Sequence, residues 1–340
     1  MPTYFEIGAT VAVGSGGSEP TVKRIDKGDY YYFVLLFTNA GKTDTIRFDK
    51  ATTAEILIVG GGSDGINGRT FFDSNNWSDV WSAGGNGGQV KQLTNQSLVK
   101  NTSYNIYVGL DNANSTFGTI IASKGTEQTN ANHTGGSGQG GTKISTTENG
   151  GEAYSYIIGD ALIGTYGGGG GAGNFVHKFH ASTSGGAGNG GAGNGGYFIS
   201  RQTENSTLTV ENTSKAKDAT SNSGGGGGGG IEFNTSGVIM TNNGNIDNDN
   251  LHTSGKGGSG IVIVSVRLEG GVPKEIERNA IIAKNNLSTA NDMNANLPEL
   301  HQLSGTNADS ANQLYLATMV GGTFWMVLAT AMIYYTFTEL

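Results

Sequence analysis

Residues 55 to 65 read EILIVGGGSDG, and the role of the glycines in this stretch decides the fold. A short apolar run at 56–59 leads into the spacing GxGxxG, which begins at Gly60. A strand followed by such glycines is the fingerprint of a dinucleotide-binding fold, in which a helix follows at once and its amino end binds the pyrophosphate. Residues 66–78 have no helical period, and no second strand with a ribose-binding acid follows. We therefore assign these glycines a structural role and expect no bound cofactor.

The composition of the whole chain supports a structural role for glycine. The chain has 59 glycines in 340 residues, more than twice the usual frequency of about 7 per cent. The net charge is −8 and lysine and arginine do not cluster, so we expect no nucleic-acid partner, since such a partner requires a basic surface. The absence of cysteine excludes disulfides and thiolate metal sites. The first twenty residues lack the basic and apolar regions of a signal peptide, so we expect folding in a reducing compartment.

Other motifs that could carry chemistry are incomplete. The segment GKT at 41–43 resembles the end of a phosphate-binding loop, but Leu36 stands where such a loop requires glycine. His177 and His180 are spaced as half of a metal site, whereas zinc needs three or four ligands and the other histidines are scattered. We find no GxSxG between a strand and a helix. We therefore expect no catalytic residue, no metal ligand and no small-molecule substrate.

In the predicted β domain at 1–268, residues 1–58 look like strands, and from 60 to about 260 short β-like segments alternate with glycine tracts. The strand candidates are 30–37, 43–48, 56–59, 103–110, 118–122, 154–158, 206–210 and 261–266. The glycine tracts are 60–62, 84–88, 135–141, 167–171, 185–196 and 224–230. The spacing between tracts is irregular, which does not fit a solenoid. These features predict a mainly β domain.

The glycine tracts have two physical interpretations. Polyglycine loses much entropy on ordering and commonly forms flexible linkers. Alternatively, extended polyproline-II-like chains have three residues per turn and no internal hydrogen bonds, and only glycine lets such chains approach closely enough to bond laterally. Because linkers seldom alternate with β-prone segments, we favour polyglycine-II-type packing between sandwich-like strands. Ordered packing predicts slow amide exchange at 167–171 and 224–230.

The end of the chain differs from the rest. After a polar, partly helical stalk at 269–312, residues 314–337 contain no charged side chain. At 1.5 Å per residue a helix of this length spans about 36 Å, enough for a hydrocarbon core of about 30 Å. The sequence therefore predicts a single transmembrane helix at 313–338, with a buried core helix as the alternative. Its direction in the membrane is left open.

Two segments give the chain a family resemblance. The opening ILIVGGG at 56–62, the glycine runs, and the closing GGSGIVIV at 257–264 resemble the glycine-rich domain virion proteins of large DNA viruses of algae and protists. The resemblance covers about residues 30–267. A looser similarity links the chain to the glycine-rich tips of phage tail adhesins, which pack polyglycine-II helices.

The resemblance implies a non-enzymatic structural protein of the virion. We expect a minor capsid protein that links the capsid shell to the internal viral membrane or stabilises capsomer contacts. Its partners would be other capsid proteins, the lipid bilayer through the C-terminal helix, and further copies of itself. The alternative is a surface fibre or adhesin whose glycine-rich loops recognise host glycans. Its contact residues would be the aromatic side chains beside the glycine tracts, namely Tyr166, Phe175, Phe179, Tyr197 and Phe198.

Overall fold

The fold is known from a computed structural model. It describes residues 3–70, 72–73, 76–77, 82–128, 134–141, 147, 149–177, 186–203, 207–233, 239–242, 253–270, 318–322 and 325–326. The chain divides into two compact units, Met1–Val272 and Pro273–Leu340. In the first unit, strands dominate the described residues and the sheet pairs are mostly antiparallel, so the predicted mainly β body is confirmed.

In its described residues, the first unit contains short strands and two 3₁₀ turns. The strands are β1 Thr3–Tyr4, β2 Ala9–Ala12, β3 Thr21–Asp26, β4 Tyr30–Phe37, β5 Thr43–Phe48, β6 Thr52–Val59, β7 Asn67–Thr70, β8 Phe72–Asp73, β9 Asn76–Trp77, β10 Val90–Leu98, β11 Ser103–Tyr107, β12 Ser115–Phe117, β13 Ile120–Ala122, β14 Tyr154–Ile158, β15 Ala161–Tyr166, β16 Asn174–His177, β17 Tyr197–Thr203, β18 Thr207–Ser214, β19 Gly230–Phe233, β20 Ile239–Asn242 and β21 Ile261–Glu269. The 3₁₀ turns are Phe5–Ile7 and Gln139–Gly141.

A five-stranded antiparallel sheet forms the centre of this unit. Its order is β10-β6-β21-β4-β3, so β6, β21 and β4 each have a neighbour on both sides. These three strands carry the longest apolar runs of the body, and most of their side chains are buried. Successive side chains of a strand point to opposite faces of the sheet. A continuous apolar run therefore indicates a sheet covered on both faces.

One face of the central sheet packs against a six-stranded sheet of order β1-β2-β5-β11-β12-β13. In β5, apolar residues alternate with polar ones, and Ile46 and Phe48 point into the shared core. Phe33, Leu35 and Phe37 of β4 contribute to the same core from the other side. The two sheets therefore form a β-sandwich with a single apolar interior.

The opposite face of the central sheet is covered by the hairpin β14–β15. Tyr156, Ile158 and Tyr166 of this hairpin pack with Val34 and Leu57 of the central sheet. The remaining sheets are β16-β17-β18-β20 and the two-stranded pairs β19–β7 and β8–β9. Most residues of the glycine tracts lie in the connections between the strands of this unit.

In the second unit, residues 318–322 and 325–326 are helical. Among the residues that the structure describes, no helix is long and apolar enough to cross a membrane. The predicted stalk at 269–312 and the predicted span at 313–338 lie almost entirely outside those residues. The side chains of Met319, Val320, Trp325 and Met326 are exposed.

The buried hydroxyl of Tyr156 gives a first stability prediction. This side chain is fully buried, and its hydroxyl has no hydrogen-bond partner within the described residues. Burial also raises the pKa of Tyr156 well above its usual range, as expected for a desolvated phenol. Because an unsatisfied buried hydroxyl costs free energy, we expect Tyr156→Phe to leave the free energy of unfolding unchanged or to raise it by up to about 1 kcal/mol. Urea denaturation of both proteins measures the difference.

The matched control is Tyr31→Phe, since the Tyr31 hydroxyl donates to Glu6 Oε2 at 3.1 Å. Losing this bond should lower the free energy of unfolding by about 1 kcal/mol. Burial and the Glu6 carboxylate raise the pKa of Tyr31 from 10.0 to about 12. The stability that protonated Tyr31 provides is therefore complete below pH 10.0 and lost as the pH rises towards about 12. A loss in Tyr156→Phe equal to that in Tyr31→Phe would contradict the unsatisfied state of the Tyr156 hydroxyl.

Candidate functional site

The glycine tract 224–230, here called the central tract, donates its amide hydrogens with a period of three. Gly226 and Gly229 donate to carbonyl oxygens of the segment 168–171, at 2.9 and 2.8 Å. Gly227 and Gly230 donate to carbonyl oxygens of the segment 63–66, at 3.0 and 3.2 Å. The amides of residues three apart in the central tract therefore point to the same neighbouring segment.

A third direction is set by Gly228, whose amide donates to the carbonyl oxygen of Lys217 at 3.0 Å. Since consecutive amides face three different segments, the central tract rotates by about one third of a turn per residue, the geometry of a three-residue helix.

The carbonyl oxygens of the central tract follow the same period and reach three other segments. Gly224 and Gly227 accept from amides of the segment 85–88, both at 2.7 Å. Gly225 and Gly228 accept from the segment 255–258, both at 2.8 Å.

Gly226 and Gly229 accept from Gly193 and Gly196 at 2.9 Å each. Six segments therefore surround the central tract, and each forms backbone hydrogen bonds with it. We call this arrangement the glycine bundle; it consists of the central tract and the segments 63–66, 85–88, 168–171, 193–196, 255–258 and the backbone at residue 217.

The surrounding segments also bond to each other. Gly170 donates to the carbonyl oxygen of Gly85 at 2.9 Å and accepts from Gly136 at 2.8 Å. Gly171 donates to Gly193 at 3.0 Å. The bundle is therefore one connected network of backbone hydrogen bonds rather than a set of separate pairs. These bonds give its amide and carbonyl groups the partners that buried polar groups need.

The spacing between the segments is too small for any side chain. A Cβ atom added to Gly226 would lie 1.8 Å from the carbonyl oxygen of Gly85. At Gly169 the distance to the carbonyl oxygen of Gly136 would be 1.7 Å. Close approach of two backbones therefore requires glycine at these positions.

Polar side chains accept hydrogen bonds from backbone amides that have no neighbouring glycine segment to bond to. Oxygen atoms of asparagine, aspartate and serine accept from backbone amides at the edge of the bundle and nearby. These pairs are Asn149 with Ala187, Asn194 with Gly188, Asp64 with Gly257, Asp218 with Lys256, Ser223 with Gly225 and Ser82 with Gly173. The high content of these residues thus has a structural use, because each one replaces a missing lateral neighbour.

Asn86 connects two loops to the bundle from within a glycine tract. Its side chain is buried, and its Oδ1 accepts from the Ser137 amide at 2.6 Å and from Gln128 Nε2 at 3.1 Å. Its Nδ2 donates to the carbonyl oxygen of Thr126 at 2.6 Å. Its backbone amide donates to Ser63 Oγ at 2.8 Å. Asn86 therefore fixes the loops at 126–128 and 137 against the bundle.

Sequence reasoning missed both Asn86 and the serine and asparagine side chains at the edge. The available signal was a single polar residue inside a glycine tract, as in GGNGG at 84–88. A polar residue at such a position breaks a run of glycines. The hydrogen bonds of Asn86 explain why it stands there.

The GxGxxG stretch at 60–65 runs into the bundle, which includes its last residues. The amides of Gly60, Gly61 and Gly62 donate to backbone oxygens at 3.0, 2.8 and 2.9 Å, so they are not free to bind a pyrophosphate. The next element is the strand β7 rather than a helix. This stretch therefore lacks the free amides and the following helix with which a dinucleotide-binding loop holds a pyrophosphate.

The polar groups of the GKT segment at 41–43 also form hydrogen bonds within the body. The Gly41 amide donates to the carbonyl oxygen of Val108 at 2.8 Å. Lys42 Nζ donates to the carbonyl oxygen of Gly16. These groups therefore hold loops together within the body.

The structure describes some, but not all, of the aromatic residues predicted to contact glycans and of the two histidines at 177 and 180. Tyr166 is buried, with 6% of its surface exposed, and packs against the central sheet. Phe175 lies in β16, and Tyr197 and Phe198 lie in β17. His177 ends β16, whereas His180 and Phe179 lie outside the described residues.

Metal-ligating side chains do not converge in the described part of the chain. No group of three or more histidine, cysteine, aspartate or glutamate residues there could hold a metal ion.

Comparison of the chain with protein-family models, curated proteins and solved structures gives no match.

Proposed function

We propose that this chain is a non-enzymatic structural protein in which a polyglycine-II-type bundle serves as a rigid building block. The observation that carries the proposal is the central tract, which forms backbone hydrogen bonds of period three with six surrounding segments. In this arrangement the polar groups of the backbone are used for internal bonding. They are not presented to a ligand, as they would be in a phosphate-binding loop.

The rigidity of such a body follows from the number of lateral bonds. Each net hydrogen bond contributes about 0.5–1.5 kcal/mol, and the bonds act together because shifting one segment breaks several of them. The β-sandwich provides the apolar core, and the bundle extends the ordered body through segments that consist mostly of glycine. A stiff, weakly charged body suits a component of a protein shell.

The proposed setting is the virion. The segments at 56–62 and 257–264 that resemble glycine-rich virion proteins lie where the central sheet meets the bundle, in β6 and at the start of β21. We propose a minor capsid protein that links the capsid shell to the internal viral membrane or stabilises capsomer contacts, with other capsid proteins and further copies as partners. The proposed anchor is the apolar segment 313–338, and the exposed Val320 and Trp325 side chains are compatible with a lipid environment.

Membrane anchoring is tested by flotation with liposomes. The full chain should float with the vesicles and be released by detergent but not by high salt. A chain lacking 313–340 should remain in the soluble fraction with unchanged far-UV circular dichroism. A full-length chain that stays soluble without detergent would contradict the anchor.

The place of the protein in a particle is tested by a density map of the purified virion, with the chain fitted to density at the shell or bilayer. Density for the chain only in external fibres, together with glycan-array binding by residues 1–268, would replace the capsid proposal with the adhesin alternative. The burial of Tyr166 argues against its part in such a glycan site.

A further inference from the structure

Asparagine–glycine pairs in the first unit lie in different backbone environments. Within the residues described, such pairs begin at Asn67, Asn86, Asn149, Asn189 and Asn194. Asparagine followed by glycine is prone to spontaneous deamidation, because the glycine nitrogen can approach the side-chain carbonyl carbon without hindrance from a Cβ. The reaction requires that this nitrogen be free and that the backbone bend locally.

Most of these pairs are held by hydrogen bonds or by strand pairing. The Gly87 amide donates to the carbonyl oxygen of Ser137 at 2.8 Å, and the Gly150 amide to that of Ala187 at 2.8 Å. The Gly195 amide donates to the carbonyl oxygen of Gly186 at 2.9 Å. Asn67 lies in β7, where it is paired with β19 in an extended conformation. Cyclisation at these sites would require local opening first.

The pair at Asn189 is arranged differently. The Asn189 side chain is exposed, and the Gly190 amide donates to no atom of the residues that the structure describes. The Ala192 amide donates to the carbonyl oxygen of Asn189 at 3.0 Å, which closes a turn. Gly190 and Gly191 have φ values of 51° and 84°, as in a primed two-residue turn. The attacking nitrogen is thus free and lies in a bend.

We propose that Asn189 is the first site of spontaneous deamidation among the asparagine–glycine pairs that the structure describes. The Gly190 nitrogen attacks Cγ of Asn189, and a bond between them forms as the bond from Cγ to Nδ2 breaks. Nδ2 leaves as ammonia, taking up the proton that the Gly190 nitrogen loses. Water then opens the resulting succinimide at either carbonyl and gives aspartate or isoaspartate; no oxidant or reductant is needed.

The isoaspartate product would loosen one side of the bundle. It adds one atom to the backbone just before the segment 193–196, whose Gly193 and Gly196 amides donate to Gly226 and Gly229. The added atom shifts these donors relative to the central tract. Aspartate at the same position adds only a negative charge at the surface. Deamidation would therefore act as a slow ageing reaction of the bundle.

The test is peptide mapping by mass spectrometry of the full chain in detergent, after incubation at mildly alkaline pH, with isoaspartate methyltransferase labelling. Asn189 should deamidate about tenfold faster, or more, than Asn86, Asn149 and Asn194, because those sites react only after local opening. The rates should converge in concentrated urea. Asn189→Gln should abolish the fast phase without changing the urea midpoint, since the side chain is exposed.

Three results would overturn the proposal: equal rates at the four sites in the folded chain, no deamidation at Asn189 while the chain stays folded, or an Asn189 rate that stays well above the rates of the other three sites in urea. The last result would assign the preference to local sequence rather than to the fold.

Discussion

Gly226→Ala should prevent the first unit from folding or lower its free energy of unfolding by at least about 4 kcal/mol. The new Cβ would lie 1.8 Å from the carbonyl oxygen of Gly85, which belongs to the backbone of a neighbouring segment. The clash is relieved only if the two segments separate. Separation would break the bonds from the Gly85 amide to Gly227 and from the Gly88 amide to Gly224, both at 2.7 Å. The measurement is urea denaturation followed by circular dichroism.

The matched control is Gly28→Ala, which makes the same chemical change outside the bundle. A Cβ at Gly28 meets nothing within 4 Å, but the residue has a φ of +82°. The expected loss is about 1–2 kcal/mol, which arises from the backbone conformation alone. Equal losses in Gly28→Ala and Gly226→Ala would show that close approach of the segments is not what requires glycine at position 226.

Asn86→Ala should lower the free energy of unfolding by about 2–4 kcal/mol. The change removes the acceptor for the Ser137 amide, at 2.6 Å, and the donor to Thr126, at 2.6 Å. Both bonds are partly buried, so water replaces the lost partners only in part, and such unsatisfied groups cost about 1–3 kcal/mol each. The loops near residues 126 and 137 should also show faster amide exchange.

The matched control for this substitution is Asn189→Ala, since Asn189 is an exposed asparagine within a glycine-rich segment. Its substitution should change the free energy of unfolding by no more than about 0.5 kcal/mol. If Asn86→Ala also had so small an effect, the proposed role of Asn86 in fixing the two loops would be wrong.

The sequence identifies the apolar and aromatic strands well because their side chains carry a clear signal. The predictions at 30–37 and 154–158 coincide with β4 and β14, and the run at 261–266 lies within β21. These segments are apolar or aromatic, and burial of their side chains selects the extended conformation.

The two strands at the edges of the central sheet were not identified individually. β3 and β10 are rich in polar and charged residues, and most of their side chains are at least partly exposed. An edge strand often carries such residues, because they discourage pairing with other chains. Its position is therefore set by the neighbouring strand rather than by its own hydrophobic pattern.

The partners of each glycine tract could not be read from the sequence at all. Glycine has no side chain that could distinguish one neighbour from another. The segments that meet are also far apart in the chain; the Gly257 amide, for example, bonds to Asp64, 193 residues away. The choice of neighbours depends on the β-sandwich, which fixes where each tract begins and ends.

The most direct test of the account is hydrogen–deuterium exchange across residues 224–230, read at single-residue resolution by NMR. If the tracts form one bonded body, the amides of Gly226 to Gly229 should exchange as slowly as those of the central strand β21, because each donates to a neighbouring segment at 2.8–3.0 Å. Exchange at the rate of an unstructured glycine linker, while β21 stays protected, would contradict the bundle.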